Sequence, residues 1–314
     1  FLKKLCEFCK MEMALPMNTG AEAVETAIKT ARKWGYQKKK ISHNKAEIIV
    51  CANNFHGRTT TIVGFSTEKQ YRDGFGPFTP GFKIIPYGDF KALKKAVTKN
   101  TVAFLVEPIQ GEAGILVPKL GYLTEAKKLC NDKNVLFILD EIQTGLGRTG
   151  KNFCFEHEKN AKPDVIILGK ALGGGVYPVS AVVASKEILG VFKPGDHGST
   201  FGGNPLASAV GLAALEVIET ENLADRSFEL GQELLKAIIK INSPHVKELR
   251  GRGLMIGIEI KKPSGTARMF CEKLMHLGIL AKETHGQVIR LSPPLIITKQ
   301  ELDFLAETLR DVLS

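Results

Sequence analysis

The stretch "DVIILGKALGGG", residues 164–175, decides the fold. Its apolar part carries no polar alternation, the pattern of a strand buried on both faces of a parallel sheet. The run ends at Lys170, with three glycines close behind. Two readings of that lysine are open from this stretch alone. One is a side chain that snorkels from a strand end to water. The other is a desolvated amine of lowered pKa, suited to Schiff-base chemistry, and it needs partners elsewhere in the chain.

Working outward, "EIIVCAN" (47–53), "VAFLVEP" (102–108), "VLFILDE" (135–141) and "VSAVVAS" (179–185) repeat the strand pattern. They alternate with amphipathic helical runs such as "LTEAKKLCNDKN". The alternation predicts an α/β fold with a doubly wound, mostly parallel sheet. From Asn204, "NPLASAVGLAALEVIETENL" reads as a helix leading out of that sheet. The later segments "LRGRGLMIGIEI", "LGILAKETHGQVIRLSPPL" and "TKQELDFLAETLRDVL" read as a small α+β domain. The division expected is a large domain over 1–219 and a small one over 220–314. Residues 1–13 read as helix, and the helical "MNTGAEAVETAIKTARKWGY" precedes any expected strand, so further N-terminal sequence is expected to be missing from this chain.

The chain has 314 residues, with 43 basic against 33 acidic side chains and a net charge of +10. The excess is spread over helices and is densest at "YQKKKISHNK" (36–45), where no interleaved aromatics accompany it. That argues for a solvated loop rather than a nucleic-acid or membrane surface, and for attraction of acidic substrates. No apolar run is long enough to span a bilayer, and "FLKKLCEFCKMEMALP" lacks the layout of a signal peptide. Six cysteines without a regular framework fit reduced thiols, in the cytosol or alternatively the mitochondrial matrix. Cys6 and Cys9, in "CEFC", lie one helical turn apart. They read either as two ordinary helix cysteines or as a redox dithiol served by a thioredoxin-type partner. No second CxxC or nearby histidine completes a zinc site, so no metal is expected.

Ligands of open α/β sheets bind outside the carboxyl ends of the strands. Asp140 ends a wholly apolar strand, where a carboxylate must be paired, and Lys170 ends another. Alone, the two would be a structural ion pair. "MNTGAEAVETAIK" adds Asn18 and Thr19 as caps and Gly20 at a helix N-terminus, an anion seat suited to phosphate. "HGSTFGGNP" supplies Ser199 and Thr200, and "NNFHGRT" supplies Phe55 and His56 where a flat ring can stack. Phosphate seat, stacking aromatic, carboxylate and a buried lysine together describe pyridoxal phosphate, with Asp140 on the pyridinium nitrogen.

Through "NTGAEAVETAIKTARKWGY", "NNFHGRT", "EPIQGEAG", "LDEIQTGLGRTG", "LGKALGGGVYPVSAV", "HGSTFGGNPLA" and "THGQVIRLSPPL", the chain resembles the class III, fold-type I aminotransferases along essentially its whole length. Within them it looks most like the ornithine δ-aminotransferase branch. The resemblance implies that Lys170 is the Schiff-base lysine and proton shuttle, that Asp140 pairs with the ring nitrogen and that Gln143 reaches the ring's 3-hydroxyl. It places Phe55 on the ring, and Gly20 and Ala21 on the phosphate through backbone N–H groups. Thr200 would hold the phosphate of the neighbouring subunit's cofactor, which implies a homodimer with shared active sites.

For substrates, the resemblance implies that Arg58 and Arg290 grip the two carboxylates of 2-oxoglutarate. Glu112 would neutralise Arg290 while L-ornithine is bound, with Arg58 on ornithine's carboxylate. The implied products of the ping-pong cycle are glutamate-5-semialdehyde, which cyclises to pyrroline-5-carboxylate, and L-glutamate. Acetylornithine, 4-aminobutyrate and lysine aminotransferases are the sister alternatives. Two blander alternatives are an ordinary surface ion pair for Glu112 and Arg290, and a non-catalytic basic binding protein on the same fold. The family pattern also carries an N-terminal segment of about a hundred residues, with substrate-contacting tyrosines, that this sequence does not contain.

Overall fold

The structure is a computed structural model that describes residues 1–314. The apolar runs form the inside of a seven-stranded sheet: β1 (Met13–Met17), β2 (Glu47–Cys51), β3 (Phe82–Ile85), β4 (Thr101–Val106), β5 (Leu136–Asp140), β6 (Val165–Leu168) and β7 (Ser180–Ala184). Their spatial order is β1-β7-β6-β5-β4-β2-β3. The strands from β3 to β6 pair in parallel, whereas β7 runs antiparallel to β6, and β1 to β7. β4 to β7 are buried at every position, which is why their sequences lack polar alternation.

Alternate residues sort the two faces of the sheet. Ile48, Val50, Leu105, Leu136, Ile138, Val165, Ile167 and Val182 share one core with the helix Gly20–Gln37, which contributes Ala23, Val24, Ala27, Ile28, Ala31 and Trp34. Those helix positions recur at three and four residues, so a single stripe faces the sheet. On the other face Phe104 and Phe137 stack with ring centroids 6.1 Å apart. The helix starts in a capping box: the Thr19 hydroxyl accepts from the Glu22 N–H, and the Glu22 carboxylate accepts from the Thr19 N–H.

Two strands are illegible as apolar runs. β1, "MALPM", contains Pro16 and stands at an edge, the one place in a sheet where a proline is tolerated. It corrects the expectation that no strand precedes Asn18. The first helix is correspondingly shorter, Leu2–Cys9, and is ended by Lys10 at φ 51°. β3 is the opposite edge, and its four residues are mostly half-exposed.

The chain forms two compact units, and the second is discontinuous, comprising 109–117, 144–154 and 218–314. A single boundary at 219/220 does not include those two loops. They are drawn in by a small apolar cluster in which Ile109, Ile115 and Cys154 meet Met255. The second unit is built on an antiparallel sheet of β8 (Val246–Arg252), β9 (Met255–Ile260), β10 (Lys282–Thr284) and β11 (Val288–Leu291), in the order β10-β11-β9-β8. Helices Leu223–Ile241, Ala267–His276 and Lys299–Leu313 complete its core. No helix is long and apolar enough to cross a membrane.

Gly35 marks the closest approach of helix Gly20–Gln37 to the sheet: a Cβ there would lie 2.2 Å from Val102 Cγ1. Alanine gains about 1 kcal/mol of helix propensity over glycine, but overpacking of this kind costs about 1–3 kcal/mol. Gly35→Ala is therefore expected to lower the denaturant midpoint, and adding Val102→Ala to recover part of the loss. A Gly35→Ala protein as stable as the wild type would contradict this packing.

Candidate active site

Asp140 closes β5, the central strand of the large sheet, and is only 4% exposed. A carboxylate so placed needs partners, and it has them. Oδ2 lies 2.7 Å from His56 Nδ1, and Oδ1 accepts the Ile142 N–H at 3.1 Å. His56 follows the end of β2 and is buried, and its Nε2 is buried without a hydrogen-bond partner. Burial alone would lower the His56 pKa; the hydrogen bond to Asp140 and the charges of Glu107 and Asp140 outweigh it and raise the value. Glu107, just beyond β4, accepts the Phe55 N–H on both carboxylate oxygens, at 3.3 and 3.4 Å. Phe55 is half-buried and meets Tyr71 edge to face at 5.9 Å. Three parallel strand ends thus assemble Asp140, His56, Glu107 and Phe55.

β6 lies beside β5, with Ile167 opposite Asp140. Gly169 continues extended beyond the strand, and Lys170 then turns to φ 43° to open the short turn Lys170–Gly173. Left-handed backbone costs a non-glycine residue about 1–2 kcal/mol, and such strain concentrates at functional sites. Lys170 is exposed in this chain, which corrects the expectation of a buried amine. The sheet stops at Leu168, two residues earlier, and the glycines that follow place no side chain over the lysine.

At the start of helix Gly20–Gln37 the capping box engages the N–H groups of Thr19 and Glu22, and the Ala23 N–H bonds to the Thr19 carbonyl. The first helical amides, Gly20 and Ala21, remain as the donors for an anion. Asn18 Nδ2 donates to Ser199 Oγ at 3.0 Å, and Ser180 on β7 donates to the Thr19 carbonyl at 2.7 Å. The two phosphate-type loops of the sequence therefore meet, with Ser199 half-buried and Thr200 exposed. Gln143 lies in the turn directly after Asp140 and Ile142.

Arg58 is exposed and sits over the Tyr71 ring, 4.5 Å from its centroid, and 5.9 Å from that of Phe55. It lines a cavity of about 410 Å³ together with Thr60, Val63, Gln70, Tyr71 and Phe75. In the second unit, Arg290 on β11 donates to Glu112 at 2.5 Å, and both side chains are largely shielded from water. Shielding makes this pair less subject to screening by salt than an exposed one.

Cys6 and Cys9 close the helix Leu2–Cys9. Burial, then the Glu7 charge, raises the Cys6 pKa; burial, then Cys6, Glu141 and Glu156, raises that of Cys9 far above the thiol range. Thioredoxin-type dithiols sit at helix N-termini, where the dipole favours thiolate. Here the pair lies toward the helix C-terminus, whose dipole opposes the thiolate.

Glu107, Tyr71, Ser180 and Thr284 were not singled out by sequence. Glu107 had a signal: "VAFLVEP" delivers a carboxylate from an apolar strand just as "VLFILDE" does. The others act through long-range contacts that leave no local pattern.

The family pattern described as Aminotransferase class-III matches residues 1–313. Among similar proteins, the ornithine aminotransferase of Brevibacillus brevis is 58% identical over 313 residues, spanning 100% of this chain and 77% of that protein. The crystal structure of ornithine aminotransferase from Toxoplasma gondii superposes with a TM-score of 0.97 at 46% identity, covering 99% of this chain and 75% of that one. An acetylornithine aminotransferase from Elizabethkingia anophelis gives 0.87 at 45% identity, covering 99% of this chain and 76% of that one. With the family pattern running along the whole chain and its lysine, aspartate and anion seat at the carboxyl ends of one sheet, the chain belongs to the class III aminotransferases.

Proposed function

We infer that this chain transfers the δ-amino group of L-ornithine to 2-oxoglutarate, giving glutamate-5-semialdehyde, which cyclises to pyrroline-5-carboxylate, and L-glutamate. The Glu112–Arg290 pair carries the reading. The donor presents one carboxylate and the acceptor two, so one enzyme serving both in turn needs an arginine whose charge can be cancelled and restored. Arg58 takes the carboxylate that both substrates share, and Arg290 takes the second carboxylate of 2-oxoglutarate once Glu112 lets go.

The residues fit pyridoxal phosphate, the cofactor of this family. Asp140 offers a buried carboxylate for the ring nitrogen, Gly20 and Ala21 offer amides for the phosphate, and Phe55 offers a ring face for stacking. When bound, the group acts as an electron sink for the carbon that loses its proton. His56 keeps Asp140 oriented through Nδ1, and Glu107 fixes the main chain of Phe55. Lys170 Nζ anchors the cofactor, then takes the proton from the δ-carbon of ornithine and returns it on the other side of the transfer.

We also propose a homodimer with shared sites. On the helix Pro205–Thr220, Leu206, Ala209, Ala213 and Val217 are exposed at helical spacing. Phe201, just before that helix, and Val176, in the glycine-rich segment after Lys170, are 68% and 79% exposed. Apolar exposure of this extent marks a contact surface, and Thr200, beside Phe201, is suited to reach a partner's phosphate.

The test of function is the full-length protein loaded with pyridoxal phosphate. L-ornithine is expected to bleach its visible absorbance band and 2-oxoglutarate to restore it, with Lys170→Ala abolishing turnover. Better use of N-acetylornithine or 4-aminobutyrate than of ornithine would move the substrate to a sister enzyme. For the dimer, Phe201→Asp is expected to yield monomers by sedimentation and weaken cofactor retention; an unchanged dimer contradicts the interface. For His56, a raised folded-state pKa means that its stabilisation is complete below the unfolded value, about 6.5, and is lost as pH rises through the folded value. The stability gap between wild type and His56→Gln should therefore be largest in mild acid and shrink with rising pH; a gap that grows with pH refutes the charged His56–Asp140 pair.

A further inference from the structure

Glu112 sits on a turn whose main chain is fixed from several sides within the second unit. Gln110 and Leu116 close it with reciprocal bonds of 3.1 and 3.0 Å, and the N–H groups of Gly114 and Ile115 both donate to the Gly111 carbonyl. Two side chains from the small sheet then hold its carbonyls. Thr284 Oγ1 donates to the Glu112 carbonyl, and Arg250 Nε donates to the Gly114 carbonyl at 2.9 Å. Thr284 is buried at the end of β10, the strand paired with β11, where Lys282 faces Arg290. Arg250, on β8, is steadied by Glu248 at 2.8 Å and Glu259 at 2.6 Å. Gly114 has φ +106°, and a Cβ there would press on Val288 Cγ2 at 3.2 Å and Arg250 Nη2 at 3.3 Å. Only a glycine lets the turn lie this close to the sheet.

Both partners of the Glu112–Arg290 pair therefore hang from one sheet. Arg290 is on β11, and the Glu112 main chain is tied to β10 and β8. We propose that Thr284 and Arg250 are positioning residues that fix the Glu112 main chain, so that its carboxylate engages and releases Arg290 by side-chain rotation alone. A free loop would have to be ordered again at every engagement, a backbone entropy cost that a pinned turn avoids. The proposal rests on the reading that Glu112 cancels the Arg290 charge for ornithine. It predicts that loosening the turn weakens the engaged state, which the donor needs, and spares the released state, which the diacid needs.

The experiment compares Thr284→Val, Thr284→Ser and Glu112→Gln in the full-length protein carrying its cofactor. kcat/KM is measured separately for L-ornithine and 2-oxoglutarate, and amide hydrogen exchange over 111–115. Thr284→Val is expected to lower kcat/KM for ornithine about fivefold to tenfold, the scale of one hydrogen bond, while that for 2-oxoglutarate stays within about twofold. Exchange over 111–115 is expected to speed up, and Thr284→Ser, which keeps the hydroxyl, to behave as wild type. An equal loss on both substrates, or unchanged exchange, overturns the proposal. If Glu112→Gln shifts the ornithine to 2-oxoglutarate ratio and Thr284→Val does not, the proposal falls and the substrate reading stands. If Glu112→Gln leaves that ratio unchanged, the substrate reading falls and takes the proposal with it.

Discussion

A carboxylate at the end of the central strand of the sheet is the constraint around which the first unit is arranged. Asp140 leaves water on folding, and its charge is tolerable only because His56 Nδ1 and the Ile142 N–H meet its two oxygens. That requirement fixes more than one residue. The chain after β2 must return over the end of β5 to bring His56 there, and the same segment carries Phe55 and Arg58. Glu107, one strand over, holds the Phe55 amide and adds charge that favours the protonated imidazole. A set of contacts needed to bury one aspartate thus also places the Phe55 ring and Arg58.

The lysine obeys a different logic. It stands outside the sheet, on strained left-handed backbone among glycines, and is an exposed residue. In the proposed reaction this residue bonds a cofactor, releases it and moves a proton, which a place beyond the strand end suits better than a strand interior. The helix N-terminus nearby in the fold adds fixed donors without mobile charge, since the capping box engages the amides around Gly20 and Ala21 and leaves those two available. In the proposed reaction, fixed anion donors and the reactive amine thereby belong to different elements.

The second unit holds a comparable arrangement in its ion pair. Arg290 is carried by a strand and Glu112 by a pinned turn, so the pair has a defined geometry without a moving backbone. By contrast, Cys6 and Cys9 share a motif spacing that suggests chemistry, while burial and acidic neighbours raise the pKa of both thiols. Spacing proposes a function, and the local dielectric and charge decide whether it can operate.

The parallel strands, the Thr19 cap, and the candidacy of Lys170, Asp140 and the "NTGAEA" seat were legible in the sequence because each rests on local pattern: unbroken apolar runs, a capping hydroxyl before a helical run, a charge at a strand end. β1 was not legible, because a proline-bearing edge strand is made acceptable only by its place in the sheet. Nor was the recruitment of 109–117 and 144–154 into the second unit, which depends on an apolar cluster closed by Met255. Glu112 and Arg290 are 178 residues apart in sequence, and Thr284 and Arg250 reach the Glu112 turn over comparable separations. Chain periodicity reports which face of an element is buried; which charged and hydroxyl groups meet at those distances is settled only when the sheet order sets strand ends beside one another.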